Sequence, residues 1–101
     1  MKLLDKKIAL VTSSTRGIGL ACSKKLAENG AKVYLAVRRL DAGKEIANEI
    51  IKNPRDADVV YFDATKEETF TSMIEDIIKK ENRIDILVNN FESTYNTFKR
   101  F

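Results

Sequence analysis

A short β-rich apolar run, KIALVT at Lys7–Thr12, passes directly into the Ser/Thr/Gly stretch Ser13–Gly19 and then into a helical period. The run is bounded by lysines on one side and turn formers on the other, which reads as a buried strand. Gly17 and Gly19 let backbone approach a bulky group and let the following helix pack tightly on the strand. A strand, a glycine-bearing loop and a helix in immediate succession constrain the fold more than any other feature of the chain.

The alternation continues to the end. A helix is expected over Gly17–Asn29, with Ile18, Cys22 and Leu26 repeating at i, i+4 and Gly30 placed as a C-terminal cap. KVYLAV at Lys32–Val37 reads as the second strand. A second helix is expected from Asp41 to Lys52, with Ile46, Ala47, Ile50 and Ile51 as its apolar stripe and Pro54 beyond it. DVVYF at Asp58–Phe62 reads as the third strand. Thr65-x-x-Glu68 reads as a capping box opening a third helix, in which Phe70, Met73, Ile74, Ile77 and Ile78 keep helical spacing. IDILVN at Ile84–Asn89 reads as the fourth strand. The order βαβαβαβ implies an α/β fold with a parallel sheet and right-handed crossovers. As the N-terminal half of a doubly wound sheet it predicts strand order 3-2-1-4, with the first two helices on one face and the third on the other. The fourth strand then lies at an edge, and Ile84, Ile86, Leu87 and Val88 have too few partners for a parallel sheet.

With 101 residues, one domain is the ceiling. Apolar residues make up 44% and charged residues 33%, which places the chain among folded domains and not disordered ones. The net charge of +3 comes from lysines and arginines interleaved with acidic residues, so a nucleic-acid surface is not expected. No apolar run reaches membrane-spanning length, and the start lacks a signal peptide's pattern. The single Cys22 excludes an internal disulfide, and a cytoplasmic location is the expectation. Cys22 itself reads as inert helix packing. Histidine is absent, which excludes histidine metal sites and Ser-His or Cys-His pairs within the chain. No metal site is expected.

The loop carries the chemistry. The first-turn N–H groups of the helix at Gly17, Ile18 and Gly19 are unpaired and stand at the positive end of its dipole. A pyrophosphate is the natural guest. A P-loop is not supported, because no Gly-Lys-Ser/Thr follows. At the end of the second strand a carboxylate would accept the 2′-hydroxyl of an NAD ribose. Arg38 and Arg39 stand there instead, and an arginine pair can neutralise and fork onto a 2′-phosphate. Arg16 approaches the same group from the loop, and Thr15 offers it a hydroxyl. The expected cofactor is NADP(H). Arg38 also argues against a Rossmann methyltransferase, which wants an acid at this position.

Thr12-Ser13-Ser14-Thr15-Arg16-Gly17-Ile18-Gly19 resembles the T-G-x-x-x-G-[IL]-G loop of the short-chain dehydrogenase/reductase family, with Ser13 in place of the first glycine. The resemblance runs from Lys7 to about Phe91. It implies that Asp63 hydrogen-bonds the adenine ring. It implies that Asn89 steadies the central sheet and that Asn90 lines the cofactor site at the ribose. Within the family, TSSTRGIG, VYFDATKEETFTSM and ENRIDILVNN are most similar to the bacterial NADP-dependent 7α-hydroxysteroid dehydrogenases, which act on bile acids.

The chain also departs from the family. Phe91-Glu92 replaces the Ala-Gly that follows Asn-Asn, and a carboxylate there repels anions. Residues 1–91 are read as a dinucleotide-binding half-domain and 92–101 as an atypical tail. Tyr95-x-x-x-Lys99 has the spacing of the family's catalytic pair, but it directly follows the fourth strand, and the family's pair follows the fifth. It is read as coincidence. No catalytic residue is therefore expected here, and the chain alone is expected not to turn over an alcohol or ketone substrate. The competing reading is an inactive truncated product or a small dinucleotide-binding or interaction module. The family forms oligomers, but nothing in these residues supports one.

Overall fold

The computed structural model describes residues 3–12, 17–51 and 56–88, with the side chains of residues 17, 18, 51 and 56 excepted. In chain order the elements are β1 (Ile8–Thr12), α1 (Gly17–Glu28), β2 (Lys32–Val37), α2 (Leu40–Ile51), β3 (Asp56–Tyr61), α3 (Glu67–Glu81) and β4 (Ile86–Val88). The strands form one sheet in the expected order β3-β2-β1-β4. All pairings are parallel: Leu10 is opposite both Tyr34 and Leu87, and Leu35 is opposite Val59.

Side chains alternate across the sheet and build two cores. Ala9, Val11, Val33, Leu35 and Val37 meet Ala27, Ala47 and Ile50 from α1 and α2. Ile8, Leu10, Tyr34, Ala36 and Val60 meet Met73 and Ile77 from α3. Helices α1 and α2 therefore cover one face and α3 the other, as the doubly wound arrangement requires. β1 and β2 are almost wholly buried, which is why they read as continuous apolar runs and not as alternating ones. Burying Leu10, Leu35 or Val33 contributes about 1.5–3 kcal/mol each.

Four sequence expectations need correction. The buried ridge of α1 is Gly19, Ser23 and Ala27, one residue along from the expected stripe; Cys22 and Leu26 are only half-buried, and the Ile18 side chain is outside the described residues. Small residues allow α1 to lie close on the sheet, and the Ser23 hydroxyl is satisfied by the Gly19 carbonyl at 2.9 Å. In α2, Gly43 belongs to the buried face with Ala47 and Ile50. In α3, Ile78 is 41% exposed and leaves the stripe after Ile77. The capping box does not form: Lys66 is the N-cap and makes no side-chain cap hydrogen bond. Thr65 lies one residue too early and is engaged elsewhere. Helix ends follow their signals better. Gly30 adopts φ 102° after α1, and Asn82 ends α3 at φ 68° with its N–H donating to the Ile78 carbonyl at 2.8 Å.

β4 reaches β1 through a reciprocal exchange at its start. Ile8 N–H donates to Asp85 Oδ2, and Asp85 N–H donates to the Ile8 carbonyl, both at 2.8 Å. Arg83 forks onto the same carboxylate at 2.9–3.1 Å. The Arg83 hydrogen bonds, followed by the Ile8 N–H, hold the Asp85 carboxyl below its ordinary range. Leu87 shares the α3 face with Leu10 but remains 50% exposed.

Candidate functional site

Because every strand runs in the same direction, their carboxyl ends share one edge. Thr12, Val37, Tyr61 and Val88 end their strands there. The β1–β2 connection runs over one face through α1, and the β3–β4 connection runs over the other through α3, so the strand order reverses between β1 and β4, the place where a doubly wound sheet opens a crevice at this edge. The Thr12 side chain is buried at that crevice, and its hydroxyl donates to the Val88 carbonyl at 3.3 Å. This joins the last residues of β1 and β4.

Most of the expected pyrophosphate loop, including Ser13, Thr15 and Arg16, lies outside the described residues, as do Asn89, Asn90, the Phe91-Glu92 pair and the tail with Tyr95 and Lys99. Gly17 and Ile18 form the first residues of α1, directly beyond the loop, and Gly19 is buried behind them. The start of the helix therefore faces the carboxyl edge of the sheet, where its free N–H groups belong for an anion.

Arg38 and Arg39 follow β2 on the same edge, and both are exposed. They differ in their surroundings. The Arg39 guanidinium lies 3.6 Å from the Asp41 carboxylate, an exposed pair worth at most about 1 kcal/mol. Arg38 acts toward Asp63: its charge is one of the influences that lower the Asp63 carboxyl. The larger causes are hydrogen bonds from the Thr65 hydroxyl and the Thr65 N–H.

Asp63 is buried two residues beyond β3, 8% exposed. The chain reaches it through Phe62, whose N–H donates to the Val37 carbonyl at 2.9 Å and prolongs the β2–β3 ladder. The Asp63 N–H donates to Thr69 Oγ1 at 3.0 Å, and that hydroxyl lies 2.9 Å from the Asp63 carbonyl and 2.7 Å from the Lys66 carbonyl. Thr65 donates to Asp63 Oδ1 twice, from its N–H at 2.9 Å and its hydroxyl at 2.7 Å. Thr65 and Thr69 were not among the expected site residues. The signal for Thr65 was present, since Asp-x-Thr is the spacing at which a carboxylate caps the backbone two residues on. The capping-box spacing to Glu68 masked it.

The edge thus brings together an exposed cation, an oriented carboxylate and a helix start. Among the described residues no group of three or more Cys, Asp and Glu side chains is arranged to hold a metal ion. No described helix is long and apolar enough to cross a membrane.

The chain matches the short chain dehydrogenase family over residues 7–96. It is 52% identical over 94 residues to a 7alpha-hydroxysteroid dehydrogenase of Clostridium sardiniense, covering 93% of this chain and 36% of the relative. It is 53% identical over 91 residues to the same enzyme of Paraclostridium sordellii, covering 90% and 34%. This chain therefore spans about a third of the length of those relatives. Among solved structures it resembles a metagenomic short-chain oxidoreductase in complex with NADP, with a TM-score of 0.85, 29% identity, and coverage of 89% of this chain and 41% of that one. It also resembles a hydroxysteroid dehydrogenase from Escherichia coli, with a TM-score of 0.83, 31% identity, and coverage of 89% and 38%. A family match over nearly all of the chain, on the fold that the residues dictate, makes this chain a member of the short-chain dehydrogenase family.

Proposed function

We propose that this chain is the cofactor-binding portion of an NADP-dependent short-chain oxidoreductase. The observation that carries the reading is Arg38, an exposed cation at the carboxyl end of β2 where a carboxylate would select NAD. The described residues fit the cofactor: Arg38 offers charge to a 2′-phosphate, Asp63 offers an oriented acceptor to adenine, and the start of α1 offers N–H groups to the pyrophosphate. Arg16 and Thr15 are assigned to the 2′-phosphate with Arg38, and Asn90 to the adjacent ribose. Arg39, beside Asp41, is assigned a secondary share of the phosphate charge. When bound, the nicotinamide supplies a hydride acceptor or donor for a secondary alcohol or its ketone. Identity above 50% to two 7alpha-hydroxysteroid dehydrogenases supports a 7α-hydroxylated bile acid as the substrate of the complete enzyme. The residues assigned here are cofactor-binding and none is catalytic.

Calorimetric titration of the 101-residue chain with NADPH and NADH tests the reading, with tighter NADPH binding expected. Equal affinities overturn the NADP assignment. The chain alone is expected to give no turnover in a bile-acid dehydrogenase assay, and real turnover overturns its assignment as a non-catalytic portion.

The half-exposed Leu87 on β4, a strand paired only with β1 among the described residues, favours a second reading, a small binding or interaction module. A monodisperse monomer that binds NADPH supports that module. Insoluble or partly unfolded material overturns it.

A further inference from the structure

The Asp63 carboxylate is engaged unevenly. Both Thr65 donors, the N–H at 2.9 Å and the hydroxyl at 2.7 Å, converge on Oδ1. Among the described residues Oδ2 accepts no hydrogen bond. The backbone of Asp63 is held separately by the Thr69 hydroxyl. A carboxylate on a turn can ordinarily rotate and exchange its two oxygens. Here two donors from one residue fix one oxygen, so the other has a defined direction. An ionised carboxylate only accepts, so what Oδ2 can take is a donor. Arg38, on the next strand end, adds positive charge that favours the ionised form.

We propose that Thr65 is a positioning residue of the dinucleotide site. It holds Oδ1 so that Oδ2 is presented to the exocyclic amine of the purine, and the site thereby selects 6-aminopurine dinucleotides over their 6-oxo counterparts. A 6-oxo group would turn an acceptor toward an acceptor. The inference rests on the assignment of Asp63 to adenine made above. It goes beyond that assignment by making the selectivity depend on a side chain that does not touch the ligand.

The test is calorimetric titration of the 101-residue chain with NADP+ and with its deaminated analogue, nicotinamide hypoxanthine dinucleotide phosphate. Wild type, Thr65→Val, Thr65→Ala, Thr65→Ser and Asp63→Asn are compared. Thr65 is exposed, so its variants are expected to fold, and far-UV circular dichroism checks this. Wild type is expected to prefer NADP+. Thr65→Val and Thr65→Ala are expected to lose roughly three- to tenfold in NADP+ affinity while leaving the hypoxanthine analogue nearly unchanged, and Thr65→Ser to retain the preference. If the hydroxyl-free variants weaken both ligands equally, Thr65 is merely structural and the inference falls. If they weaken neither while wild type still discriminates, the inference falls and the adenine assignment of Asp63 stands. If wild type and Asp63→Asn bind both ligands alike, or wild type binds neither, the assignment of Asp63 fails and takes the inference with it.

Discussion

The Glu81 carboxylate, in the last turn of α3, sits 2.7 Å from the Lys32 ammonium at the first residue of β2. The buried Tyr34 hydroxyl donates to the same oxygen, and the ammonium lies 5.4 Å from the Tyr34 ring centroid. The cluster closes the amino end of the sheet, opposite the edge where the strands end. Hydrogen bonds from Lys32 and then Tyr34 hold Glu81 below its ordinary value of 4.5. The hydrogen bond to Glu81 holds Lys32 above 10.5. Burial and then the bond to Glu81 push the Tyr34 hydroxyl up to about 12.

Replacing Glu81 with Ala is expected to cost about 1 kcal/mol near neutral pH, since solvent screens the half-exposed ammonium. The cost is pH-dependent at both ends. The share from Glu81 is complete above its unfolded pKa and disappears as pH falls through the lower folded value. The shares from Lys32 and Tyr34 are complete below their unfolded values and disappear as pH rises through the higher folded ones. Urea denaturation of wild type and Glu81→Ala should therefore show a constant gap from about pH 5 to 9, narrowing outside that window. A gap that is flat from pH 3 to 11 would contradict the arrangement.

Gly43→Ala poses a contest between helix propensity and packing. Alanine gains about 1 kcal/mol in a helix interior. A Cβ at this position would stand 2.7 Å from Val37 Cγ2 and 3.1 Å from Val59 Cγ1. Both neighbours are β-branched and stiff at χ1, so neither yields easily. Overpacking is expected to win, with a net loss of about 1–2 kcal/mol and a lowered Tm. A variant more stable than wild type would show that α2 can lift off the sheet without cost.

Thr69→Val keeps the shape of the side chain and removes the hydroxyl that serves the Asp63 backbone and the Lys66 carbonyl. The buried Asp63 N–H then has no acceptor, and a loss of about 1–3 kcal/mol is expected from chemical denaturation. Thr69→Ser should recover most of it. A loss in Thr69→Ser with none in Thr69→Val would mean that the methyl group, not the hydroxyl, matters here.

Arg38→Asp reverses the charge that the 2′-phosphate meets. NADPH affinity is expected to fall by at least about tenfold, with NADH gaining. Because Arg38 is exposed, the NADPH preference of wild type should also shrink as salt rises. An unchanged NADPH affinity in Arg38→Asp would remove the basis of the cofactor assignment.

The architecture was legible in the residues because buried parallel strands announce themselves as apolar runs. Lys32–Val37 was delimited to the residue, and the strand order followed once the alternation was read as the first half of a doubly wound sheet. The misplaced faces have one physical origin. Cys22 and Leu26 are more apolar than Ser23 and Ala27, yet helix-to-sheet distance is set by small residues at the contact, so the smaller pair is buried. Gly43 was passed over for the same reason. At the candidate site, the end of the second strand points to Arg38 and the family resemblance points to Asp63. Thr65 and Thr69 were missed because a threonine's partner is decided by the local turn, and Thr65 had two plausible partners in sequence, Asp63 and Glu68.

The exchange between Ile8 and Asp85 spans 77 residues, and it bears on how the chain comes off the ribosome. β1 precedes the other described strands in the chain and lies between β2 and β4 in the described sheet. Its pairing with β2 becomes available early, but its ladder with β4 waits for the last of the described strands. At ordinary translation speeds that interval is roughly 4–15 s. Throughout it, one whole flank of β1 has backbone donors and acceptors without their native partner. The nascent chain is therefore most open to mispairing at the strand that directly precedes Ser13–Gly19, and β4 (Ile86–Val88) is what ends that exposure.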